Sequence, residues 1–291
     1  MKIITIENLG FDLCDDPVRT EELISNSLLD YAKDNQEDSE YIYVSIPLAW
    51  SINTYGLPMI QKFVHDLSSM RDEYKKENMK LAFVCQHIQV KNIDFGDNKV
   101  FTPHATIYDK FTPLPHHAPN ITNNIREFAG REILISFAGS YSTHRTRLES
   151  TEILKNRDDC IMVDTGDWHF YKRDEDLKKS SEFYIKTMNN SKISLCPRGT
   201  GPSTIRLWEA MAVGSVPMMI SDSLELPLGK EIDWEKHIIR VPERDIKNIE
   251  DYILPEDRLQ KMSKNCIETY NKYFSESEMH NIVLRGINGQ I

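Results

Sequence analysis

The sequence predicts an α/β protein built from two doubly wound domains that face a cleft. Apolar strand-like runs alternate with amphipathic helix-like segments in the first third of the chain, and this alternation restarts near residue 130. Between the two series, residues 88–126 hold four prolines and no regular hydrophobic period. Parallel sheets with crossover helices produce this alternation, and 291 residues are enough for two such domains.

The N-terminal domain is predicted to span residues 1–123. Short apolar runs bounded by polar residues predict its strands, and apolar residues at three- and four-residue spacing predict its helices. The predicted strands cover residues 2–6, 41–46 and 81–86, and the predicted helices cover residues 20–34 and 56–78.

The C-terminal domain is predicted to span residues 124–270 and to follow the same alternation. Its strands are predicted at residues 132–139, 160–165, 192–197, 216–221 and 237–242, and its helices at residues 145–156, 175–190 and 203–214. A helical tail over residues 271–291 completes the chain, and one arrangement takes this tail back to the N-terminal domain. Trp208 and Trp234 are expected in the core.

Composition excludes several classes of protein. About 40% of the residues are hydrophobic, which argues against disorder, and the net charge of -10 without a Lys/Arg stripe argues against a nucleic-acid partner. The five cysteines are scattered and odd in number, as expected for free thiols in a reducing compartment. Neither a signal peptide nor an apolar run of ~18 residues occurs. We therefore expect a cytoplasmic protein without a membrane span, as a monomer or weak dimer.

The most informative stretch, "SLCPRGTGPSTIRLWEAMAVGSVPMMISD", covers residues 194–222. A predicted strand ends at Pro197 and a predicted helix begins near Ser203. Gly199 and Gly201 let the backbone of the intervening turn approach a ligand or take positive φ. Ser203 or Thr204 can cap the helix. A helix N-terminus of this kind binds phosphate.

Charged residues in the same stretch strengthen the phosphate interpretation. Arg206 lies in the first helical turn, where it can pair bidentately with phosphate oxygens, and Arg198 adds a second positive charge. Glu209 lies on the same helix face and can accept hydrogen bonds from ribose hydroxyls. The alternative is a turn whose glycines serve only packing. The stretch is neither a dinucleotide fingerprint nor a Walker A loop.

These residues resemble the signature region of the exostosin-type glycosyltransferases, family 47. The resemblance rests on the strand ending in "CPRG", the serine and arginine after it, the "WEA" triplet and the strand that reaches Ser-Asp. Upstream, "ISFAGSYSTHRTR" is similar to a second family element, in which Gly139 is followed by an arginine, here Arg145 or Arg147. The similarity covers roughly residues 130–255.

The resemblance implies a GT-B fold, with two Rossmann-like domains. It places a nucleotide-sugar donor, usually a UDP-sugar, on the C-terminal domain and a glycan acceptor on the N-terminal domain. It also implies inversion at the anomeric carbon without a metal requirement or other cofactor. Arg206 and the helix N-terminus would hold the diphosphate, Glu209 the ribose, and Gly139 with Arg145 or Arg147 the other side of the diphosphate.

An inverting mechanism needs stabilisation of the leaving group and a base for the acceptor hydroxyl. For the first role we expect Arg206 with Arg147 or Arg145. The alternative, a metal on Asp174-Glu175-Asp176, is weaker because acidic residues at a helix start have ordinary capping reasons. The candidate bases are His87, Asp94, Asp97 and Asp72, of which His87 directly follows a predicted strand.

Two other classes of function stay open at this point. The same pocket in a binding protein could hold a nucleotide sugar without turnover. A different enzyme on the same architecture, such as an epimerase or a phosphorylase, is the second alternative. The transferred sugar, whether a pentose, a hexose or a uronate, does not follow from these residues.

Overall fold

The computed structural model describes residues 2–5, 19–35, 41–73, 80–166 and 175–291, and the chain divides into two compact units. Unit 1 comprises Met1–His117, Leu224–Leu228 and Glu276–Ile291, and unit 2 comprises Ala118–Ser223 and Gly229–Ser275. The division therefore falls after His117, whereas the sequence predicted it at residue 123. Most of the predicted tail belongs to unit 1.

Unit 1 is built on a sheet of five parallel strands. They are β1 (Lys2–Thr5), β2 (Tyr41–Ser45), β3 (Lys80–Val84), β4 (Lys99–Thr102) and β5 (Thr112–Pro113). Their spatial order is also their chain order, β1-β2-β3-β4-β5. Among these described strands the order does not reverse, so the double winding expected for both domains is not seen in this sheet.

Three helices precede β4 in unit 1, namely α1 (Arg19–Asp34), α2 (Leu48–Tyr55) and α3 (Leu57–Glu73). The first and third match predicted helices. Helix α2 was not predicted, because "IPLAW" reads as the continuation of an apolar strand. Buried Leu48 and Ile52 lie one turn apart on α2, and Gly56 ends it with a φ of 78°.

Unit 2 is built on a second sheet of five parallel strands. They are β6 (Ile133–Gly139), β7 (Cys160–Asp164), β8 (Ser191–Pro197), β9 (Val216–Ile220) and β10 (Ile239–Arg240). Their spatial order is β10-β9-β8-β6-β7, so the chain first builds outward from β6 to β7 and then continues on the other side of β6. The strand order therefore reverses between β6 and β8.

The helices of unit 2 connect these strands or cover the sheet. They are α4 (Arg145–Leu154), α5 (Glu175–Asn189), α6 (Ile205–Val213) and α7 (Glu256–Thr269). The predicted α/β class with two Rossmann-like domains is confirmed at the level of the two parallel-sheet units.

The core of unit 2 contains Trp208 and Trp234. Trp208 is 2% exposed, and its ring packs edge-on against Phe274 at a centroid distance of 5.0 Å and against Trp234 at 6.2 Å. Both are core residues, as predicted. Cys85, Cys160, Cys196 and Cys266 are free thiols, and Cys14 lies outside the described residues.

The end of the chain is helical. A π-helical turn (Tyr270–Phe274) follows α7, and α8 (His280–Ile287) closes the chain. Within unit 1, His117 pairs with Glu276 at 2.6 Å, and Lys99 donates to the carbonyl of Gly286. Among the described helices, none combines the length and the apolar character that crossing a membrane requires.

Candidate functional site

The strand order of unit 2 reverses between β6 and β8, and at such a point α/β sheets open a crevice for ligands at the carboxyl ends of the strands. The loop after Gly139 leads into α4, and the loop after Pro197 leads into α6. Loops that leave two adjacent strands in opposite directions open a ligand-binding crevice at this point in α/β sheets. The two stretches singled out in the sequence are these two loops.

Arg206 projects from the first turn of α6 towards the end of β6. One Nη donates to the carbonyl of Ala138, and Cζ lies 4.1 Å from the ring centroid of Phe137 and 5.5 Å from that of Tyr184. The side chain is only 8% exposed. Its Nε and other Nη have no hydrogen-bond partner among the described residues. The guanidinium is therefore buried against aromatic rings with two donors unused.

Gly139 makes room for this arginine. A Cβ at position 139 would lie 2.6 Å from Nη2 of Arg206 and 3.3 Å from the ring of Phe137. Any side chain at this position would force the guanidinium to move. The glycine predicted from the second family element therefore serves the placement of Arg206.

Arg147 approaches the same crevice from the first turn of α4. Its Nε donates to the carbonyl of Arg198 at 3.2 Å, and Nη1 donates to the carbonyl of Ser140 at 3.1 Å. Burial, and then the charge of Arg206, lower its pKa to about 10. Arg145 is exposed. Of the two arginines left open by the sequence, Arg147 is the one that bridges both loops.

Arg147 and Arg206 place two positive charges against the same aromatic ring. Their Cζ atoms lie 5.7 Å and 4.1 Å from the ring centroid of Phe137. Within the described ranges, neither guanidinium takes part in a salt bridge. Two like charges at short range in a partly buried site cost free energy, and a bound anion would offset this cost.

The turn after β8 contributes further polar groups. Arg198 lies 3.6 Å from a carboxylate oxygen of Glu243, and its Nε has no described partner. Gly199 does not take positive φ, but a Cβ there would lie 3.0 Å from Nη2 of Arg147. The absence of a side chain at Gly199 therefore lets the backbone of the turn lie close to Arg147. The hydroxyl of Thr143, in the opposite loop, also has no partner among the described residues.

The start of α6 differs in detail from the prediction. Thr204 is the N-cap residue of α6. Its side chain makes no capping hydrogen bond within this turn, all of whose residues are described. Gly201 and Ser203 are buried in the turn. The first-turn N–H groups therefore have no side-chain cap from Thr204, and the positive end of the α6 dipole lies at the turn that follows β8.

Glu209 is engaged by protein donors. The backbone N–H and the side-chain amide of Asn120 donate to Oε1 at 3.1 Å and 2.8 Å, and the hydroxyl of Tyr184 donates to Oε2 at 2.5 Å. The side chain is 2% exposed, and burial raises its pKa. No sequence motif identifies Asn120 or Tyr184 as a hydrogen-bond partner of Glu209. The ribose role of Glu209 stays a prediction.

The candidate bases lie in unit 1 and are held differently. His87 follows β3; its Nδ1 accepts from the N–H of Gln89, so its Nε2 carries the proton and donates to Asn53. Exposed Asp94 accepts from the N–H of Gly96. Asp97 precedes Asn98, which binds the N–H of Leu81 at the amino end of β3. His87 therefore lies at the carboxyl edge of the sheet, and Asp97 does not.

Two predictions fall outside what the structure describes. Asp72 lies in α3, but its side chain is outside the described residues, and so are Asp174 and the side chains of Glu175 and Asp176. Among the described side chains, no group of three or more His, Cys, Asp or Glu is placed to hold a metal ion.

Comparison with known proteins gives one family and several relatives. A family model described as the Exostosin GT47 domain matches residues 60–255. The "Exostosin-1 homolog" of Caenorhabditis elegans is 26% identical over 282 residues, 90% of this chain and 69% of that protein. The "Probable glucuronoxylan glucuronosyltransferase IRX7" of Arabidopsis thaliana is 27% identical over 140 residues, 48% of this chain and 30% of that protein.

Among solved structures, "Crystal Structure of TarM" aligns with a TM-score of 0.40 and 11% identity over 72% of this chain and 54% of that chain. The family match and the two relatives support glycosyltransferase activity for this protein.

Proposed function

This chain belongs to the Exostosin GT47 family, and from that premise we propose that it is an inverting glycosyltransferase. It transfers a sugar from a UDP-sugar to a hydroxyl group of a glycan acceptor. The donor site is the crevice between the loops after β6 and β8.

The observation that carries this proposal is that Arg147 and Arg206 lie together and form no salt bridge in the described part of the chain. A diphosphate supplies the negative charge that this pair lacks, and arginine is well suited to phosphate because its donors form a planar fork. The uncapped N-terminus of α6 adds N–H donors and a positive partial charge to the same crevice. Gly199 lets the backbone of the turn come close to the ligand.

The site suits the chemistry of a leaving diphosphate. The acceptor oxygen forms a bond to the anomeric carbon while the bond from that carbon to the β-phosphate oxygen breaks. The departing UDP takes the electron pair, and a base takes the acceptor proton. Arg147 and Arg206 are already in place when the charge develops, which is the preorganised arrangement that lowers a barrier most effectively. This is why we propose a reaction without a metal requirement.

A uronate is the first sugar to test among pentose, hexose and uronate donors. The Arabidopsis relative carries the name of a probable glucuronosyltransferase. We therefore place UDP-glucuronate at the head of a donor panel that also contains UDP-xylose, UDP-arabinose and UDP-galactose.

A transfer assay tests the proposal. The protein is incubated with each UDP-sugar and oligosaccharide acceptors, with and without EDTA; UDP release is measured, and the anomeric configuration of the product is read by NMR. We expect turnover with one donor, inversion, and no effect of EDTA. Replacing Arg147 by Ala should lower kcat/KM by about 10²–10³-fold, the loss typical of one group that stabilises developing charge.

The control is Arg145→Ala, which removes an exposed arginine two residues away and should leave kcat/KM within about twofold. Equal losses in both variants would contradict the assignment of Arg147. Tight UDP binding without transfer to any acceptor would identify a nucleotide-sugar-binding protein instead.

A further inference from the structure

The two most exposed large apolar side chains among the described residues are neighbours in one turn of unit 1. Tyr108 is 81% exposed and Ile107 is 59% exposed. They lie in the turn between β4, which ends at Thr102, and β5, which begins at Thr112. Because β5 pairs in parallel with the last two residues of β4, this turn lies at the carboxyl edge of the sheet.

The side chain of Asp109 fixes the shape of this turn. Its Oδ2 accepts hydrogen bonds from the N–H and the hydroxyl of Thr106 at 3.0 Å and 2.7 Å, and its Oδ1 accepts from the N–H of Phe111 at 3.0 Å. The N–H of Asp109 in turn donates to the carbonyl of Thr106 at 3.1 Å. Such local bonds between an aspartate and the backbone define a turn. The backbone on both sides of Ile107 and Tyr108 is therefore held in place without a ligand.

A second contact holds the same turn from a distant part of the chain. Thr106 forms an antiparallel bridge with Leu224, and the N–H of Glu225 donates to the carbonyl of Ala105 at 3.1 Å. Both residues belong to the segment Leu224–Leu228 of unit 1. Partial burial and then the charge of Asp109 raise the pKa of Glu225. The turn with the two apolar side chains thus has a carboxyl group next to it.

The turn is also joined to the loop that carries the candidate base His87. The Nε2–H of His104, which follows β4, donates to the carbonyl of Gln86 at 3.1 Å. Tyr108 and His87 are therefore on neighbouring loops at the same edge of the same sheet. Ligands of α/β sheets bind outside the carboxyl ends of the strands. Since the residues of the proposed donor site belong to unit 2, this edge of unit 1 is available for the second substrate.

The size and the chemistry of this surface fit one sugar ring. A stable interface between two proteins buries about 800 Å² on each partner, and two side chains bordered by the exposed Lys110 and Glu225 offer far less. A pyranose ring has a face of C–H groups that packs on an aromatic ring, and a rim of hydroxyl groups that donate hydrogen bonds. A tyrosine on a fixed turn next to a carboxylate supplies both contacts at a small cost in conformational entropy.

We propose that this turn is an acceptor subsite, in which Tyr108 stacks on a pyranose ring of the acceptor glycan and Glu225 accepts hydrogen bonds from its hydroxyl groups. The inference rests on the proposed function, because it takes the second substrate to be a glycan. It predicts that the protein binds an oligosaccharide in the absence of a UDP-sugar.

The binding test is a calorimetric titration of the whole protein with xylohexaose, cellohexaose and mannohexaose, without a donor. We expect at least one of them to bind. Tyr108→Ala should weaken this binding about 3- to 10-fold, the loss expected for one aromatic contact. Tyr108→Phe keeps the ring and should stay within about twofold of the unaltered protein. Unchanged affinity in Tyr108→Ala, or an equal loss in Tyr108→Phe, would overturn the stacking role.

Glu225→Ala tests the carboxylate and keeps the backbone bond to Ala105. It should weaken the same oligosaccharide about tenfold, the loss of a hydrogen bond to a charged group. Unchanged affinity would exclude Glu225 from the subsite.

The transfer assay separates a substrate contact from a general loss of activity. With the oligosaccharide that binds as acceptor, Tyr108→Ala should raise the KM for the acceptor by the same 3- to 10-fold. Both kcat and the KM for the UDP-sugar should stay within about twofold. A fall in kcat with an unchanged acceptor KM would contradict the proposal.

The matched control is Phe183→Ala, which removes an exposed aromatic ring from α5 in unit 2 and should leave oligosaccharide binding unchanged. UDP binding should be the same in all four variants. If UDP bound but none of the three hexasaccharides did at millimolar concentration, the subsite would be refuted and the donor site would stand. If a hexasaccharide bound through Tyr108 but UDP did not, the donor site would be refuted instead.

Sedimentation of the unaltered protein and of Tyr108→Ala tests the other occupant of an exposed apolar patch, a second copy of this chain. We expect the same oligomeric state in both. A dimer that Tyr108→Ala converts to a monomer, with oligosaccharide binding unchanged, would identify a subunit interface and overturn the proposal.

Discussion

Arg147 and Arg206 reach the ring of Phe137 from the first turns of α4 and α6, and neither forms a salt bridge in the described part of the chain. Folding alone gains little from such a pair, since each buried positive charge loses hydration and repels the other. Arginines of this kind are better explained by a ligand that is absent from the free protein than by stability. At the scale of single residues, they are the strongest indication of an anion.

Gly139 offers a residue-scale test of this arrangement. A methyl group at position 139 would lie 2.6 Å from Nη2 of Arg206, so Gly139→Ala must displace the guanidinium. We expect UDP binding to weaken roughly 10- to 100-fold, the loss of one hydrogen bond to a charged group. Calorimetric titration measures this change.

The control is Gly130→Ala, where the new methyl group would meet only the side chain of Arg126, at an ordinary 3.5 Å. Its UDP affinity should stay within about twofold of the unaltered protein. Unchanged affinity in Gly139→Ala would show that Arg206 does not contribute to the site.

The sequence singled out two arginines that lie together in the structure, but it predicted only part of their surroundings. The turn glycines, Arg206 and the helix start could be recognised because they are close together in the chain. The partners of Glu209 could not, because Asn120 is 89 residues away and Tyr184 is 25 residues away. Contacts at such separations depend on how helices pack, and a local sequence pattern does not predict this packing. The choice between Arg145 and Arg147 needed the structure for the same reason.

Glu21 joins three elements of unit 1. It lies in the first turn of α1 and accepts hydrogen bonds from the N–H of Ala49 in α2 and of Gln86 after β3. Burial raises its pKa from 4.5 to about 8, although the hydrogen bonds from the backbone act in the opposite direction. Its ionisable neighbours Tyr43 and Cys85 stay protonated below this pH, because burial raises the pKa of both.

The raised pKa predicts how stability depends on pH. Between about pH 5 and pH 8 the folded state holds the Glu21 proton and the unfolded state releases it, so stability falls as the pH rises. The free energy of unfolding should fall by up to about 1.4 kcal/mol per pH unit from this group. Urea denaturation across this range measures the slope.

Glu21→Gln should flatten that slope, since the amide cannot ionise but its oxygen can still accept from Gln86. The exposed neighbour Glu22, replaced by Gln, should leave the slope unchanged. A slope that persisted in Glu21→Gln would mean that this carboxyl group is not protonated in the folded protein.

At the scale of elements, the strongly periodic segments could be predicted and the short ones could not. Helix α1 was predicted at 20–34 and is found at Arg19–Asp34, and the strand predicted at 132–139 is found at Ile133–Gly139. Helix α2 has only eight residues and a largely apolar sequence, so its period could not be distinguished from that of a buried strand. Strand β5, with two residues, is set by pairing with β4.

At the scale of the whole molecule, two parallel-sheet units carry different parts of the proposed reaction. All the residues of the proposed donor site belong to unit 2, and His87, Asp94, Asp97 and Asp72 belong to unit 1. The reversal of strand order between β6 and β8 explains why the donor site lies where it does. Strand order is set by long-range pairing, so the sequence could single out the two loops without showing that they follow neighbouring strands.

The central claim is that the crevice at β6 and β8 binds the diphosphate of UDP without a metal. The most direct measurement is a calorimetric titration of the unaltered protein with UDP in EDTA, repeated in the presence of excess inorganic pyrophosphate. We expect saturable UDP binding that pyrophosphate abolishes by competition for the same arginines. No UDP binding, or UDP binding that pyrophosphate leaves unchanged, would contradict it.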